Sequence, residues 1–353
     1  VKKLHVFIID DSALMRQLMS EILSQDESIE SVETANDPLF ALPKMQKRWP
    51  DVILLDLEMP RMNGLEFARK IMSEKPTPII IVSGKTKANM RLAIEALNAG
   101  AVEVIHKPEV GLKEFLVHGT ESLLAAIKAA AAANVSRLLK SHREVRGARS
   151  KPFTTINHQP RQKPARIVTI GASTGGTVAI ETILLKLRAP ICPVVVVQHM
   201  PAGYTGAFAE RLNKLTELNV IEAQDGMHLE SNSMYVAPGG LQTAILDSRD
   251  SIRLSITDTP PVNRHKPSVD VLFESSARIK TVKIMSLLLT GMGADGAKGM
   301  LSQLRAGAET IAQDAESSVV FGMPAEAIKL GAACRVKPLD LMHTEILAFS
   351  DKP

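Results

Sequence analysis

From Leu4 to about Ala130, short apolar runs alternate with amphipathic stretches five times over. Runs at 4–9, 29–35, 52–56, 79–83 and 102–106 have strand length, and stretches beginning near 12, 37, 64, 87 and 112 repeat apolar residues at helical spacing. Strict alternation of this kind predicts a parallel sheet with helices on both faces. An Ala-rich helix over roughly 120–139 follows. It leads into a basic stretch, 141–165, whose Pro152, Pro160 and Pro164 read as an exposed hinge. At Arg166 a second alternation begins. Its strands are expected near 166–171, 193–198, 284–290 and 309–312, with helices near 175–187, 203–217, 268–280 and 294–306. Between them, 219–257 holds short runs around Pro238-Gly239-Gly240 that read as antiparallel hairpins.

The length of 353 residues fits this division into two domains, placed at 1–125 and 164–353, with a helical and basic linker at 126–163. The fold class is α/β in both. Apolar residues make up 45% of the chain, enough for two cores, yet runs such as Val194 to Val197 fall far short of the ~20 residues of a membrane span. No membrane insertion is expected. The strand-like beginning runs at once into Asp10 and Asp11, which does not suit a signal peptide. Two distant thiols, Cys192 and Cys334, argue against a disulfide framework or zinc site and fit a reducing cytoplasm, the expected location. Charge is uneven. Residues 136–166 hold nine Lys or Arg and one acid, a local +8, so the rest of the chain carries −4 of the formal +4. Basic runs bind nucleic acid or anionic surfaces in some proteins, but this one lacks aromatic interleaving and a recognition helix, and reads as a solvated linker.

Asp10 and Asp11 close the first strand and Asp56 closes the third. Ligands of parallel sheets sit at the carboxyl ends of strands, so three carboxylates converge on one crevice. Like charges packed together call for a hard divalent cation with oxygen ligands, such as Mg²⁺. Ser83 ends the fourth strand and Lys107 the fifth, adding a hydroxyl and an ammonium suited to a transferred phosphoryl group. Asp56 is the expected nucleophile, forming an acyl phosphate. Singly, a strand-end Asp is an ordinary helix cap; together and in order, the four features point to phosphoryl chemistry.

The second region places other chemistry at the same kind of position. Its first strand runs into Gly171-Ala172-Ser173-Thr174-Gly175-Gly176 and then a helix, where a serine nucleophile and free helix N–H groups belong. The next strand ends at His199 and a later one in Thr290-Gly291-Met292-Gly293-Ala294-Asp295-Gly296. His199 is placed to take the Ser173 proton and Asp295 to hold the imidazole. Two other motifs overlap these residues. Residues 171–175 match the G-x-S-x-G elbow of α/β-hydrolases, but there the histidine comes last, and here His199 precedes Asp295. Residues 291–296 match G-x-G-x-x-G, with Asp314 about twenty residues on, yet too little sheet remains after it to build a dinucleotide site.

The first ~120 residues resemble the receiver domain of two-component response regulators, a flavodoxin-like five-stranded fold. That resemblance implies phosphorylation of Asp56 by a histidine kinase. It also implies Mg²⁺ held by Asp11, Asp56 and the Glu58 carbonyl, with Asp10 acting through water. Val104 departs from the pattern, since many receivers carry an aromatic residue three before the lysine. The second region resembles the protein-glutamate methylesterases of chemotaxis (the CheB family) through GASTGG at 171, QHMP at 198, FAERLN at 208, PPVNRHKPSVDVLF at 260, LTGMGADG at 289 and VVFGMP near 319. It implies a catalytic triad of Ser173, His199 and Asp295, with a Met292 backbone N–H in the oxyanion hole, that demethylates glutamate methyl esters on chemoreceptors without a cofactor. Some family members also deamidate receptor glutamines. The resemblance further implies that the unphosphorylated receiver covers the hydrolase site. Expected partners are methyl-accepting chemoreceptors and a chemotaxis histidine kinase, with no nucleic acid and a monomeric state. A transcriptional regulator would leave Ser173, His199 and Asp295 without a role, and a silent receptor adaptor would have no use for them. The segment Asn263-Arg264-His265-Lys266-Pro267 receives no firm role: receptor docking and a plain turn are both open.

Overall fold

The computed structural model describes residues 2–59, 61–84, 86–107, 120–146 and 163–351, the side chains of 141–146 excepted. The helix expected near 112 and the stretch bearing Pro152 and Pro160 lie outside the described residues. The chain divides into two compact units, Val1–His142 and Arg143–Pro353.

In the first unit the apolar runs form β1 (Leu4–Ile9), β2 (Ile29–Ala35), β3 (Val52–Asp56), β4 (Ile79–Ser83) and β5 (Glu103–His106). They pair in parallel in the order β2-β1-β3-β4-β5, the doubly wound arrangement whose switch point lies between β1 and β3. The helices α1 (Ala13–Ser24), α2 (Pro38–Lys47), α3 (Gly64–Glu74) and α4 (Lys87–Ala99) each start where a short polar side chain accepts an otherwise orphaned N–H: Ser12, Asp37, Asn63 and Thr86. The single Ala-rich helix expected over 120–139 is instead two, α5 (Thr120–Ala132) and α6 (Val135–Arg146). Asn134 explains the break, because its side chain accepts from Arg137 N at 3.1 Å and opens a new helix. α5 buries Leu123, Ala126, Ile127, Ala129 and Ala130 and packs on β3, β4 and β5, within the first unit.

The second unit runs β6 (Arg166–Ala172), α7 (Gly176–Leu184), β7 (Val194–Gln198), α8 (Tyr204–Asn213), β8 (Asn219–Glu222), β9 (Ser233–Val236), β10 (Gln242–Asp247) and β11 (Ile252–Thr257). Then follow α9 (Val269–Ala277), β12 (Lys283–Leu288), α10 (Ala297–Arg305), β13 (Glu309–Gln313), α11 (Met323–Lys329), β14 (Arg335–Lys337) and α12 (Met342–Ser350). Seven strands form one parallel sheet in the order β14-β13-β12-β6-β7-β9-β8. The chain builds outward from β6 first to one side and then to the other, so β6 and β12 flank the switch point, where ligands of such sheets bind.

Among the described residues, only strands β10 and β11 form an antiparallel hairpin. The runs at β8 and β9, read from the sequence as part of a hairpin region, pair in parallel within the main sheet. The reason lies in their connection. Gly226 N donates to Leu254 O, Leu254 N to Met227 O and Leu229 N to Ile252 O, so the segment runs along β11 instead of turning tightly back. The sheet edges are short. β14 has three residues, with Arg335 and Lys337 both paired to Glu345 of α12, and the β8 residue Val220 gives its N–H to the Asn213 side chain of α8 at 2.8 Å. No helix among the described residues is long and apolar enough to cross a membrane.

Candidate active site

Ser173, His199 and Asp295 follow the carboxyl ends of β6, β7 and β12, three neighbouring strands. His199 N donates to Ala172 O at 3.0 Å, which locks the residue after β7 beside the residue before Ser173. The His199 ring gives Nε2 to Asp295 Oδ2 at 2.8 Å, while its Nδ1 is buried with no hydrogen-bond partner. No hydrogen bond joins Ser173 to His199 among the described residues, so the ring offers Nδ1 as its unengaged nitrogen. Ser173 is 9% exposed.

Asp295 is held by more than the histidine. Its carboxylate also accepts from Asn263 Nδ2 at 2.7 Å, Ser268 Oγ at 2.7 Å, Val269 N at 2.6 Å and Asp270 N at 3.4 Å. Ser268 to Asp270 are the start of α9, so the anion sits on a helix N-terminus with its free N–H groups. Burial works against this charge, but the hydrogen bond and proximity of His199, with Asn263 and Ser268, hold the carboxyl well below the usual carboxylate range. Asp295 therefore stays ionised.

Asn263 and His265 reach the site from one tight turn. Val262 and His265 exchange both backbone hydrogen bonds, at 3.1 and 2.8 Å, and Asn263 and Arg264 between them have φ of 51° and 68°. Two successive left-handed residues make a type I′ turn. One Asn263 amide nitrogen bridges two buried carboxylates, Asp270 Oδ2 and Asp295 Oδ1, each at 2.7 Å. His265 stacks on His199 with ring centroids 3.7 Å apart and planes 9° from parallel. Burial, then the neighbouring His199, lowers its pKa to about 3, so His265 is neutral at ordinary pH. Sequence reasoning marked this segment and gave it no role. Its part in the site rests on contacts to residues about 30 to 65 positions away, which spacing along the chain does not reveal.

The loop after β12 is pinned against Ser173. Ser173 N donates to Thr290 O at 3.0 Å, Thr290 N to Gln313 Oε1 at 2.8 Å, and Gly291 N to Val320 O at 3.0 Å. A Cβ on Gly291 would lie 2.7 Å from Ser173 Cβ and 2.4 Å from Met323 Sδ, so only glycine allows this approach. Met292 is 38% exposed beside it, and its backbone N–H has no hydrogen-bond partner among the described residues.

In the first unit, one ligand atom from each of Asp10, Asp11 and Asp56 lies within 4.8 Å of the others. Lys107 Nζ stands between two of them, 3.0 Å from Asp10 Oδ2 and 2.6 Å from Asp56 Oδ2. Burial raises the Asp56 pKa to about 6 against the opposing pull of Lys107, and the Asp10 carboxylate adds to the rise. Lys107 is raised despite burial, because Asp56 and Asp10 favour its charge. Ser83 is buried at the end of β4, and its carbonyl accepts Lys107 N at 2.9 Å. Glu58 N donates to Asp56 Oδ1 at 3.2 Å, and the Glu58 side chain accepts from Asn89 of α4 at 2.9 Å, a partner the sequence did not suggest. The donor set is entirely hard oxygen from closely spaced carboxylates, which fits an octahedral dication such as Mg²⁺.

These two constellations define a receiver joined to an α/β domain with a hydrolase-type sheet edge. Comparison with known proteins agrees in both halves: the response regulator receiver domain profile matches residues 6–116 and the CheB methylesterase profile matches residues 168–346. The chain belongs to the CheB methylesterase family. It is 46% identical over 354 residues to protein-glutamate methylesterase/protein-glutamine glutaminase 2 of Pseudomonas syringae pv. tomato, covering 98% of this chain and 99% of the relative. Protein-glutamate methylesterase/protein-glutamine glutaminase 3 of Shewanella oneidensis is 44% identical over 357 residues, covering 98% of this chain and 99% of the relative. Among solved structures, the Thermotoga maritima CheB methylesterase catalytic domain matches with a TM-score of 0.51 and 35% identity, over 54% of this chain and 100% of that one.

Proposed function

We propose that this protein hydrolyses glutamate methyl esters on chemoreceptors and deamidates receptor glutamines, with the activity raised by phosphorylation of Asp56. The observation that carries the reading is the His199 ring. It is held through Nε2 by an aspartate kept ionised and leaves Nδ1 as the base beside the Ser173 strand end. In the reaction, Ser173 Oγ attacks the ester carbonyl while His199 Nδ1 takes its proton. The tetrahedral oxyanion forms against the Met292 N–H, a donor class that contributes about 3 kcal/mol in serine hydrolases. The imidazolium, stabilised by Asp295, returns the proton to the departing methoxide, and methanol leaves. Water then attacks the acyl-enzyme through the same base, releasing a receptor carboxylate and restoring Ser173. With a glutamine the leaving group is ammonia and the steps are otherwise the same. Ester hydrolysis proceeds with these side chains and water.

In the receiver, Asp56 takes the phosphoryl group from a histidine kinase as an acyl phosphate, with Ser83 and Lys107 donating to its oxygens. Asp10, Asp11, Asp56 and the Glu58 carbonyl would hold Mg²⁺, which when bound neutralises charge during the transfer. A cytoplasmic location, the one that two distant thiols suit, would serve both partners.

Methanol release from methylated receptor membranes, with and without Mg²⁺ and a small phosphodonor, tests the reading. Release should rise with the phosphodonor and fall by about 10⁴-fold or more in Ser173→Ala. Release that persists in Ser173→Ala would refute the nucleophile, and release indifferent to the phosphodonor would refute the coupling.

A further inference from the structure

We propose that Gln198 is a positioning residue that holds the backbone of both Ser173 and His199 and so sets the nucleophile against its base. The inference rests on the reading of Ser173 as nucleophile. Gln198 is the last residue of β7, and its side chain is buried inside the sheet edge. Its Nε2 donates to Ser173 O at 2.9 Å and to His199 O at 3.1 Å. One amide nitrogen thus spends both hydrogens on the carbonyls of the two reacting residues. Its Oε1 is buried without a hydrogen-bond partner. An apolar residue would avoid that unpaired acceptor, so the donor end is what the site uses. Turning the amide over would set Oε1 against two carbonyl oxygens, so its orientation is fixed.

Each peptide unit is planar, so gripping a carbonyl fixes the plane that follows it. At Ser173 that plane leads into the turn of Gly175, with φ of 78°, and the start of α7, where Gly176 N also donates to Ser173 O at 2.7 Å. A Cβ on Gly176 would fall 2.2 Å from Gln198 Oε1 and 2.6 Å from Ala172 Cβ. The last glycine of GASTGG and the glutamine of QHMP are therefore one device: the missing side chain leaves room for the amide. Besides this clip, the bond from His199 N to Ala172 O is the nearest tie between the two strand ends.

The test uses the full chain with two substitutions, Gln198→Leu, of similar volume without a donor, and Gln198→Glu. A fluorophosphonate probe measures the reactivity of Ser173 directly, and methanol release from methylated receptor membranes gives kcat and KM. Misplacing reacting groups by about 1 Å costs about 100-fold in rate. Gln198→Leu, melting cooperatively, should therefore lose about 10- to 100-fold in both labelling rate and kcat, with KM within about twofold. Gln198→Glu should keep partial activity at low pH, where the neutral carboxyl donates one hydrogen bond. Its activity should fall as the carboxyl ionises, a limb absent from the parent protein. Labelling and kcat within twofold of the parent, a loss confined to KM, or a Gln198→Glu pH profile parallel to the parent's would each overturn the inference. A parent protein that the probe does not label at Ser173 would overturn the nucleophile itself, a result distinct from those three.

Discussion

Replacing His265 by phenylalanine keeps an aromatic face against His199 and removes a ring that titrates. Burial and the adjacent His199 lower the His265 pKa from 6.5 to about 3. The folded protein then binds fewer protons there than the unfolded chain, so stability rises with pH through this window and is lost as pH falls below 6.5. Linkage gives a loss of about 2 kcal/mol at pH 5 and almost none at pH 8. The ring is partly exposed, and screening trims the figure to about 1–2 kcal/mol. Two fluorophores separate the units. Trp49 is the single tryptophan and lies in the first, whereas Tyr204 and Tyr235 are the only tyrosines and lie in the second. Urea unfolding followed by tyrosine emission therefore reports the unit that contains His265. Between pH 8 and pH 5 the parent protein should lose about 1–2 kcal/mol more than His265→Phe, since the other titrating groups are common to both. Equal losses would show that His265 ionises in the folded state like a free histidine, and would refute the reasoning. Methanol release at pH 7.5 should stay within about threefold for His265→Phe. In His265→Ala it should fall about two- to thirteenfold, the rate equivalent of the ~0.5–1.5 kcal/mol of a stacked aromatic pair.

Asp295→Asn should lower kcat by about 10⁴-fold with little change in fold, because an amide facing His199 Nε2 favours the wrong tautomer; a kcat within tenfold of the parent would remove Asp295 from the chemistry. Asn263→Ala removes one charge-assisted hydrogen bond from each of Asp270 and Asp295, and kcat should fall about 10- to 100-fold, from about 1.5–3 kcal/mol per bond; steady-state methanol release reads the outcome, and an unchanged kcat would make the Asn263 bridge structural. Deleting residues 1–140 should raise basal esterase activity, and a folded truncation with unchanged or lower activity would count against restraint by the receiver.

The sequence made strand ends legible because buried parallel strands are short apolar runs, and the polar residues that stop them are the ones that face a ligand. Asp10, Asp56, Ser173 and His199 are visible for that reason. What supports them was not legible. Asn263 and His265 act across the fold from a turn whose two left-handed residues, one of them Arg264, carry no glycine to announce it, and Ser268 acts from the start of α9. Gln198 looked like strand, and only the fold brings its amide nitrogen to the carbonyls of Ser173 and His199. The region around β8 and β9 read as hairpin because short runs with Pro and Gly between them usually are. Its parallel pairing depends on the long connection lying down on β11. At Asn134, one side-chain hydrogen bond divided a helix that composition alone would have continued.

The two margins of the seven-stranded sheet bear on how the protein behaves in a crowded solution. A bare outermost strand is a template on which another chain can extend the sheet, the common route to aggregation. Here β14 ends after three residues whose long basic side chains are tied back to Glu345. On the other margin, Asn213 occupies an outward N–H of β8 that an incoming strand would need. Both margins of this sheet thus discourage strand addition by another chain.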